Sequence, residues 1–449
     1  MSCKVSYVPL GEIAEFESGG TPSKKNMKYW NGSIPWISAK TLVGDTVCES
    51  DLAITKEGLE AGSKLAPKGS LLLLTRGSGL FKRIPLAIAG KEVAFNQDIK
   101  CISVAAKDIS NEYLFYALRS LEPSISAMLE TTGIGAGKLA TDRLKALPIP
   151  VLDETARDKV THFADCIYRK IYLNAKLNGY LAETCDVLYS SYTAGEQAAD
   201  WPMGTLKDLL EIRYGKDHKQ LNDGDVPVYG SGGYMRSVER FLFNGESVLI
   251  PRKGSLNNVM YVSEKFWTVD TMFYAVPIIP NATKYAYQFI KRLDLASMNS
   301  GSAVPSMTTK ILNALPVPIP PKESLSAFDG QLQPYYSAIR ANTIENEWLA
   351  ALRDALLPKL ISGEIDTSGL DITRLNSHLA KALLPFECHA LATKKRGSSH
   401  SRELPRSPNY HTAAPAGTAP LLPKDRAEQA LTFGLFFSIG ALGCSRHLA

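Results

Sequence analysis

The stretch LKALPIPVLDETARDKV begins at Leu144, and LNALPVPIPPKESLSAF begins at Leu312: the second is the first rewritten at an offset of 168 residues. The match needs no gap. Gly133 falls on Gly301, Thr141 on Thr309, Leu147-Pro148 on Leu315-Pro316 and Pro150 on Pro318. Further on, Asn174 falls on Asn342, Leu181 on Leu349, Leu188 on Leu356 and Gly195-Glu196 on Gly363-Glu364. One fixed offset over so long a segment marks an internal duplication. Solenoid repeats are several times shorter, so the repeated unit is a domain together with its connector. Two similar parts must therefore fold, and whatever the chain does it does twice.

A globule precedes each matched segment. Residues 1–152 alternate short β-rich runs (SLLLLT, PLAIAG, IKCISV) with Gly/Ser/Asn turns and one helix, EYLFYALRSLE. Residues 197–321 repeat that order with SVLIPRKG, NVMYVS, MFYAVPII and the helix KYAYQFIKRL. The openings VPLGEIAEFESGGTPSK and MGTLKDLLEIRYGKDHK correspond at an offset of 196, so the second globule is about 28 residues shorter in its loops. Each globule leaves through a Pro-rich strand, where proline ends ladder pairing and keeps a helix from starting early. The class is mixed α/β.

Long helical segments follow at about 154–192 and 322–361, within connectors 153–196 and 322–366. Phe163, Ile167, Ile171, Asn174, Leu177, Leu181 and Leu188 recur at three- and four-residue spacing. Phe328, Leu332, Tyr335, Ile339, Asn342, Leu349, Leu352 and Leu356 do the same. Both patterns are heptad-like seams with an Asn, Asn174 or Asn342, at the equivalent place. The bland alternative is that each helix packs only on its own globule. Two such seams from consecutive repeats pair most simply as an antiparallel coiled coil, giving the chain an internal pseudo-two-fold.

Enzyme signatures are missing from the sequence. TGIGAGK (Thr132–Lys138) has Thr where a phosphate loop begins with Gly, and Leu139 where it needs Ser or Thr; its second copy carries Pro305-Ser306. His162 and His218 have no equivalents in the other repeat. Seven scattered cysteines without C-x-x-C spacing argue against a zinc site or a disulfide framework and fit a reducing cytoplasm. No apolar run reaches the roughly 18 residues of a membrane span. The net charge of +5 is misleading, because residues 374–449 carry ten Lys/Arg against four Asp/Glu. The repeats themselves are near neutral, so a polyanion partner must be argued from local clusters. The segment 367–449 has no counterpart after the first repeat and reads as a disordered tail or a read-through product.

Local basic clusters exist, interleaved with aromatics, in both globules. TPSKKNMKYW supplies Thr21, Lys24 and Lys25; IPWISAK supplies Trp36, Ser38 and Lys40. TRGSGLFKR adds Arg76, Ser78, Lys82 and Arg83, and FNQD adds Asn96 and Gln97. In the second globule RYGKDHK supplies Arg213, Lys216 and Lys219, and VYGSGGYMR supplies Tyr229 and Ser231. PRKGSLNN gives Arg252, Lys253, Asn257 and Asn258, and VDTM closes the set. Arg, Lys, Asn and Gln have the geometry to read purine edges, while hydroxyls and backbone N–H groups serve phosphates. Any one such loop is more often merely solvated; recurrence in both copies favours a binding surface.

GGTPSK followed by GSIPWISAK, the repeated LxALPxPxP and the closing ALLPKLISGEI resemble the specificity subunit of a type I restriction–modification enzyme. The resemblance covers about residues 1–370; the second globule lacks a GGTP-type opening. It implies two target-recognition domains, each reading half of a bipartite sequence. The helices would form a spacer on which two modification subunits dock, bringing S-adenosylmethionine and methyl transfer. A further restriction subunit would supply ATP- and Mg-dependent translocation and cleavage, leaving this chain without a cofactor and non-catalytic. The rival readings are a duplicated hydrolase with a site between the globules, and a scaffold with no nucleic-acid role. The first requires a titratable cluster shared by the copies, which the sequence does not contain; the basic loops count against the second.

Overall fold

The computed structural model describes residues 4–133, 135–298 and 306–369. The expected tail beyond 369, and Gly301 and Pro305 of the phosphate-loop contrast, lie outside the described residues. Contacts gather the chain into two units, one of residues up to 170 with 352–369, the other of residues 171–351. The two long helices span Glu154–Ala194 and Lys322–Ile361, so each unit holds part of both. Asp153 starts the first by accepting the Ala156 amide at 3.0 Å through its carboxylate. Gly363, with φ of 74°, follows the end of the second, where only glycine turns left-handed without strain. No helix among the described residues is long and apolar enough to cross a membrane.

In the first unit a five-stranded sheet runs in the order Ala14–Ser18, Ile99–Val104, Leu71–Leu74, Leu86–Ala89, Thr46–Val47. Leu71–Leu74 is its middle strand and is buried at every residue, which is why the sequence there is apolar without alternation. A four-stranded sheet joins Ala53–Ile54, Trp30–Ile37, Val93–Phe95 and Lys64–Ala66. The second unit merges the same framework into one six-stranded sheet: Leu210–Tyr214, Met272–Pro277, Phe243–Pro251, Met260–Thr268, Asp223–Gly230, Gly233–Val238.

The Pro-rich exits do not end pairing, contrary to the sequence expectation. Pro148–Leu152 pairs antiparallel with Val5–Pro9, and Pro316–Pro318 pairs with Met203–Thr205. Prolines at alternate positions place their missing donors on one edge, so each remains a two-stranded ribbon. A helix then clamps the ribbon in each unit: the Tyr113 hydroxyl donates to the Pro150 carbonyl at 2.8 Å, and Tyr285 to Pro318 at 2.9 Å. The same short helices grip the long ones through aromatic pairs, Phe115 with Tyr168 and Tyr287 with Tyr336. Burying one such ring contributes about 1.5–3 kcal/mol.

Within the second unit the long helices run side by side in opposite directions. Asn174 Nδ2 donates to Glu345 Oε2 at 2.7 Å and to Asn346 Oδ1 at 2.9 Å; Asn342 Nδ2 donates to Asn178 Oδ1 at 2.8 Å. Farther along, Tyr192 stacks on Phe328 with centroids 4.1 Å apart. Within the first unit Arg353 lies over the Tyr168 ring at 5.0 Å. Asn174 and Asn342 therefore do not face each other. Each takes the asparagine one turn along its equivalent, Asn346 or Asn178, and these two are themselves related by the 168-residue offset. The quartet maps onto itself under the repeat, which fixes one antiparallel register.

Candidate nucleic-acid interface

Each unit ties three of its loops to a single turn, which is itself the fourth segment. In the first the turn is Phe95–Asp98. Gly20 N–H donates to Phe95 O at 2.9 Å, Asn96 N–H to Ile37 O at 3.0 Å and Thr75 N–H to Asp98 O at 2.8 Å. The Thr21 hydroxyl adds a bond of 2.6 Å to Gln97 Oε1. The second unit repeats the wiring around Thr268–Met272. Lys216 N–H donates to Thr268 O at 2.9 Å, Val269 N–H to Tyr229 O at 3.1 Å and Arg252 N–H to Thr271 O at 2.9 Å. Loops scattered over some eighty residues of sequence in the first unit and some sixty in the second thus converge on one turn per unit.

Close approach at this junction explains two glycines. A Cβ on Gly19 would sit 2.2 Å from Phe95 O, and one on Gly215 would sit 2.1 Å from Val269 O. An indole braces each junction from below, but from opposite strands. Trp36 faces Ala94 across a parallel pair, whereas Val228 faces Trp267 in the equivalent pair. Trp36 Nε1 donates to Gly20 O at 3.0 Å and Trp267 Nε1 to Lys216 O at 2.9 Å. Large and small residues have exchanged strands while the carbonyl they satisfy has stayed in place.

The expected contact residues divide into two groups. Lys24, Lys25, Arg76, Ser78, Lys82 and Gln97 are exposed around the first turn, with Thr21, Ser38 and Arg83 half-buried beside them. Lys40 is exposed but lies 3.5 Å from Asp51. Trp36 and Asn96 are buried, so they support the surface and do not form it. In the second unit Lys216, Lys219 and Lys253 are exposed. Arg213 is exposed and paired with Glu211 at 2.5 Å, which holds the Glu211 carboxyl below its ordinary range. Arg252 is half-buried over the Tyr214 ring at 5.5 Å. Tyr229 donates its hydroxyl to Glu264 at 2.8 Å; burial first, then that carboxylate, raise its pKa above the ordinary phenol range. Asn257 bonds Asp294 at 3.0 Å, and Asn258 bonds the Ser231 carbonyl at 2.8 Å. Tyr229, Asn257 and Asn258 thus shape their loops.

Sequence reasoning missed Lys138. The Gly137-Lys138 pair set aside as a failed phosphate loop forms a short strand beside Arg76-Gly77, with Lys138 directly opposite Arg76. Like charges so placed are destabilising. Neither cation has an ion pair among the described residues, and an anion lying over both would relieve the repulsion. In the second unit Lys253 bridges Ser306, the residue at Lys138's place in the repeat.

The profile of the type I restriction modification DNA specificity domain matches residues 4–176 and again 198–333. The specificity subunit of the type I restriction enzyme EcoR124I/EcoR124II of Escherichia coli is 32% identical over 164 residues, 36% of this chain and 40% of that protein. The MjaIX specificity subunit of Methanocaldococcus jannaschii is 24% identical over 404 residues, 79% of this chain and 92% of that one. The crystal structure of a type I restriction-modification S subunit from M. genitalium shares the fold, with a TM-score of 0.54 at 16% identity over 80% of this chain and 96% of that chain.

Proposed function

This chain belongs to the type I restriction modification DNA specificity family, and from that premise we propose that each of its two units reads one half of a bipartite site in double-stranded DNA. The observation that carries this is the duplicated wiring, three loops tied to one turn in each unit. A protein built to read one uninterrupted site has no need of the same surface twice. The two helices, paired as an antiparallel coiled coil, set the distance between the two blocks. Methyl transfer, with its S-adenosylmethionine, belongs to two modification subunits docked on this chain, and ATP- and Mg-dependent cleavage to a restriction subunit. The assembly works in the cytoplasm. Selection of bound sequences from random duplex DNA by gel shift, with partner subunits present, tests the whole: two short blocks around a fixed unread stretch are expected, and one uninterrupted motif would refute it.

The division of labour is testable residue by residue. Arg76→Ala and Lys82→Ala are expected to weaken or relax reading of one block only, and Arg252→Ala and Lys253→Ala of the other. A lost base-edge contact costs about 1–3 kcal/mol, while a lost phosphate contact weakens all sequences alike. Equal effects of all four on both blocks would defeat the two-reader account.

Docking has a candidate surface on the helices. Tyr172 is 59% exposed, Tyr180 55%, Ile344 41% and Trp348 39%, all in the second unit's part of the helix pair. Exposed Tyr and Trp at such density suit an interface anchor. Trp348→Ala with Tyr180→Ala is expected to weaken co-purification with a modification subunit tenfold or more while leaving the melting temperature unchanged. Undiminished assembly would move the docking site elsewhere.

A further inference from the structure

The turn that organises each surface carries one exposed residue at its tip, and the two tips have different chemistry. Their equivalence follows from the backbone. Phe95 pairs with Ile37, and Thr268 with Tyr229, in the same parallel register. The next amide, of Asn96 or Val269, donates to the Ile37 or Tyr229 carbonyl. Gln97 and Asp270 therefore occupy one place in the two copies, and both side chains are exposed.

Gln97 is not a free amide. Its Oε1 accepts the Thr21 hydroxyl at 2.6 Å, which leaves its NH2 group, a donor, for a ligand. Asp270 can only accept. Its backbone carbonyl takes Arg252 Nη1 at 3.3 Å, and no hydrogen bond or ion pair occupies its carboxylate among the described residues, although Arg252 and Lys219 are near. It lines a cleft of about 450 Å³ with His218, Lys219 and Ser231. A carboxylate on a DNA-facing surface is repelled by phosphates, so it is useful only where the duplex offers donors. In the major groove those are the exocyclic amino groups of cytosine and adenine; guanine O6 and N7, adenine N7 and thymine O4 are acceptors.

We propose that Gln97 and Asp270 are specificity-determining residues of opposite polarity, Gln97 donating to a purine or thymine acceptor in one block and Asp270 accepting from a cytosine or adenine amino group in the other. This rests on the two-reader function proposed above. The test maps methylated sites in cells expressing the chain with its partner subunits, as wild type, Asp270→Ala, Asp270→Glu and Gln97→Glu. Asp270→Ala, which removes the acceptor, is expected to lose one cytosine- or adenine-bearing position in one block, with occupancy of the original sites falling tenfold or more and the other block intact. Asp270→Glu keeps the polarity and is expected to keep the base. Gln97→Glu is expected to change one position in the other block. A wild-type motif unchanged in Asp270→Ala, or a uniform loss across all sequences, overturns the assignment while leaving the two-reader function standing. Absence of a two-block motif in the wild type overturns that function itself.

Discussion

Lys284→Ala is expected to destabilise the second unit by about 3–5 kcal/mol, the cost of removing one partner from a buried ion cluster. Lys284 is fully buried, and its Nζ lies 2.7 Å from both Glu246 and Asp329. Glu246 comes from the strand Phe243–Pro251, Lys284 from the helix Thr283–Ile290, and Asp329 from the second long helix. The Tyr261 hydroxyl donates to Glu246 at 2.8 Å, and burial, then that carboxylate, raise its pKa above the ordinary range, so it stays a donor. Without the ammonium, two carboxylates converge on one cavity with a single phenol between them. Because the cluster joins sheet, short helix and long helix, its loss loosens the sheet from the long helix. Urea titration should show the second unit's transition moving to lower denaturant while the first unit's holds; a shift worth under 1 kcal/mol would mean that water or a rearranged side chain replaces the lysine. The triple change Lys284→Met, Glu246→Gln, Asp329→Asn removes all the charge and is expected to recover most of the loss.

None of that cluster was legible in the sequence. In KYAYQFIKRL a lysine reads as a solvated position, and its partners lie 38 and 45 residues away. What the sequence did disclose rests on periodicity. The helix ends at 154 and 322 follow directly from the Pro-rich exits, and the leucine run at 71–74 marks a strand covered on both faces. The loops of the interface were legible as composition, since basic and Gly-rich segments recur between the same strands in both copies. Their convergence was not, because it is carried by backbone hydrogen bonds that any sequence could make. The same limit explains the individual misplacements. Trp36 and Asn96 have the side chains of readers, but the parallel pairing of Val93–Phe95 with Trp30–Ile37 buries them. Asn178 and Asn346 escaped notice because a heptad seam, read in one helix, gives no sign of which turn of the partner it meets.

Inserting one heptad in each helix is expected to lengthen the unread spacer of the DNA target by about 3 bp, abolishing methylation at the original sites. The levels can be matched on the observed pairing. Insertion between Gly179 and Tyr180, and between Arg340 and Ala341, falls just outside the Asn174–Asn346 and Asn178–Asn342 contacts and leaves both whole. It also leaves Arg340 on its own side, where it bonds the Ser263 carbonyl at 2.9 Å. Seven residues rise about 10 Å along an α-helix, and one base pair along B-DNA about 3.4 Å. A heptad returns the seam nearly to phase, so the antiparallel pair survives where an insertion of two or five residues would turn apolar positions outward. Three base pairs also rotate the second block by roughly 100° about the duplex, one turn being about 10.5 bp. The inserted chain is therefore expected to read the longer site more weakly, through twisting of the duplex or of the helix pair. Sequencing of methylated DNA from cells carrying the variant and its partners would report both blocks and the gap between them. Blocks unchanged around an unchanged gap would mean that the helices only join the two readers and that something else measures the distance.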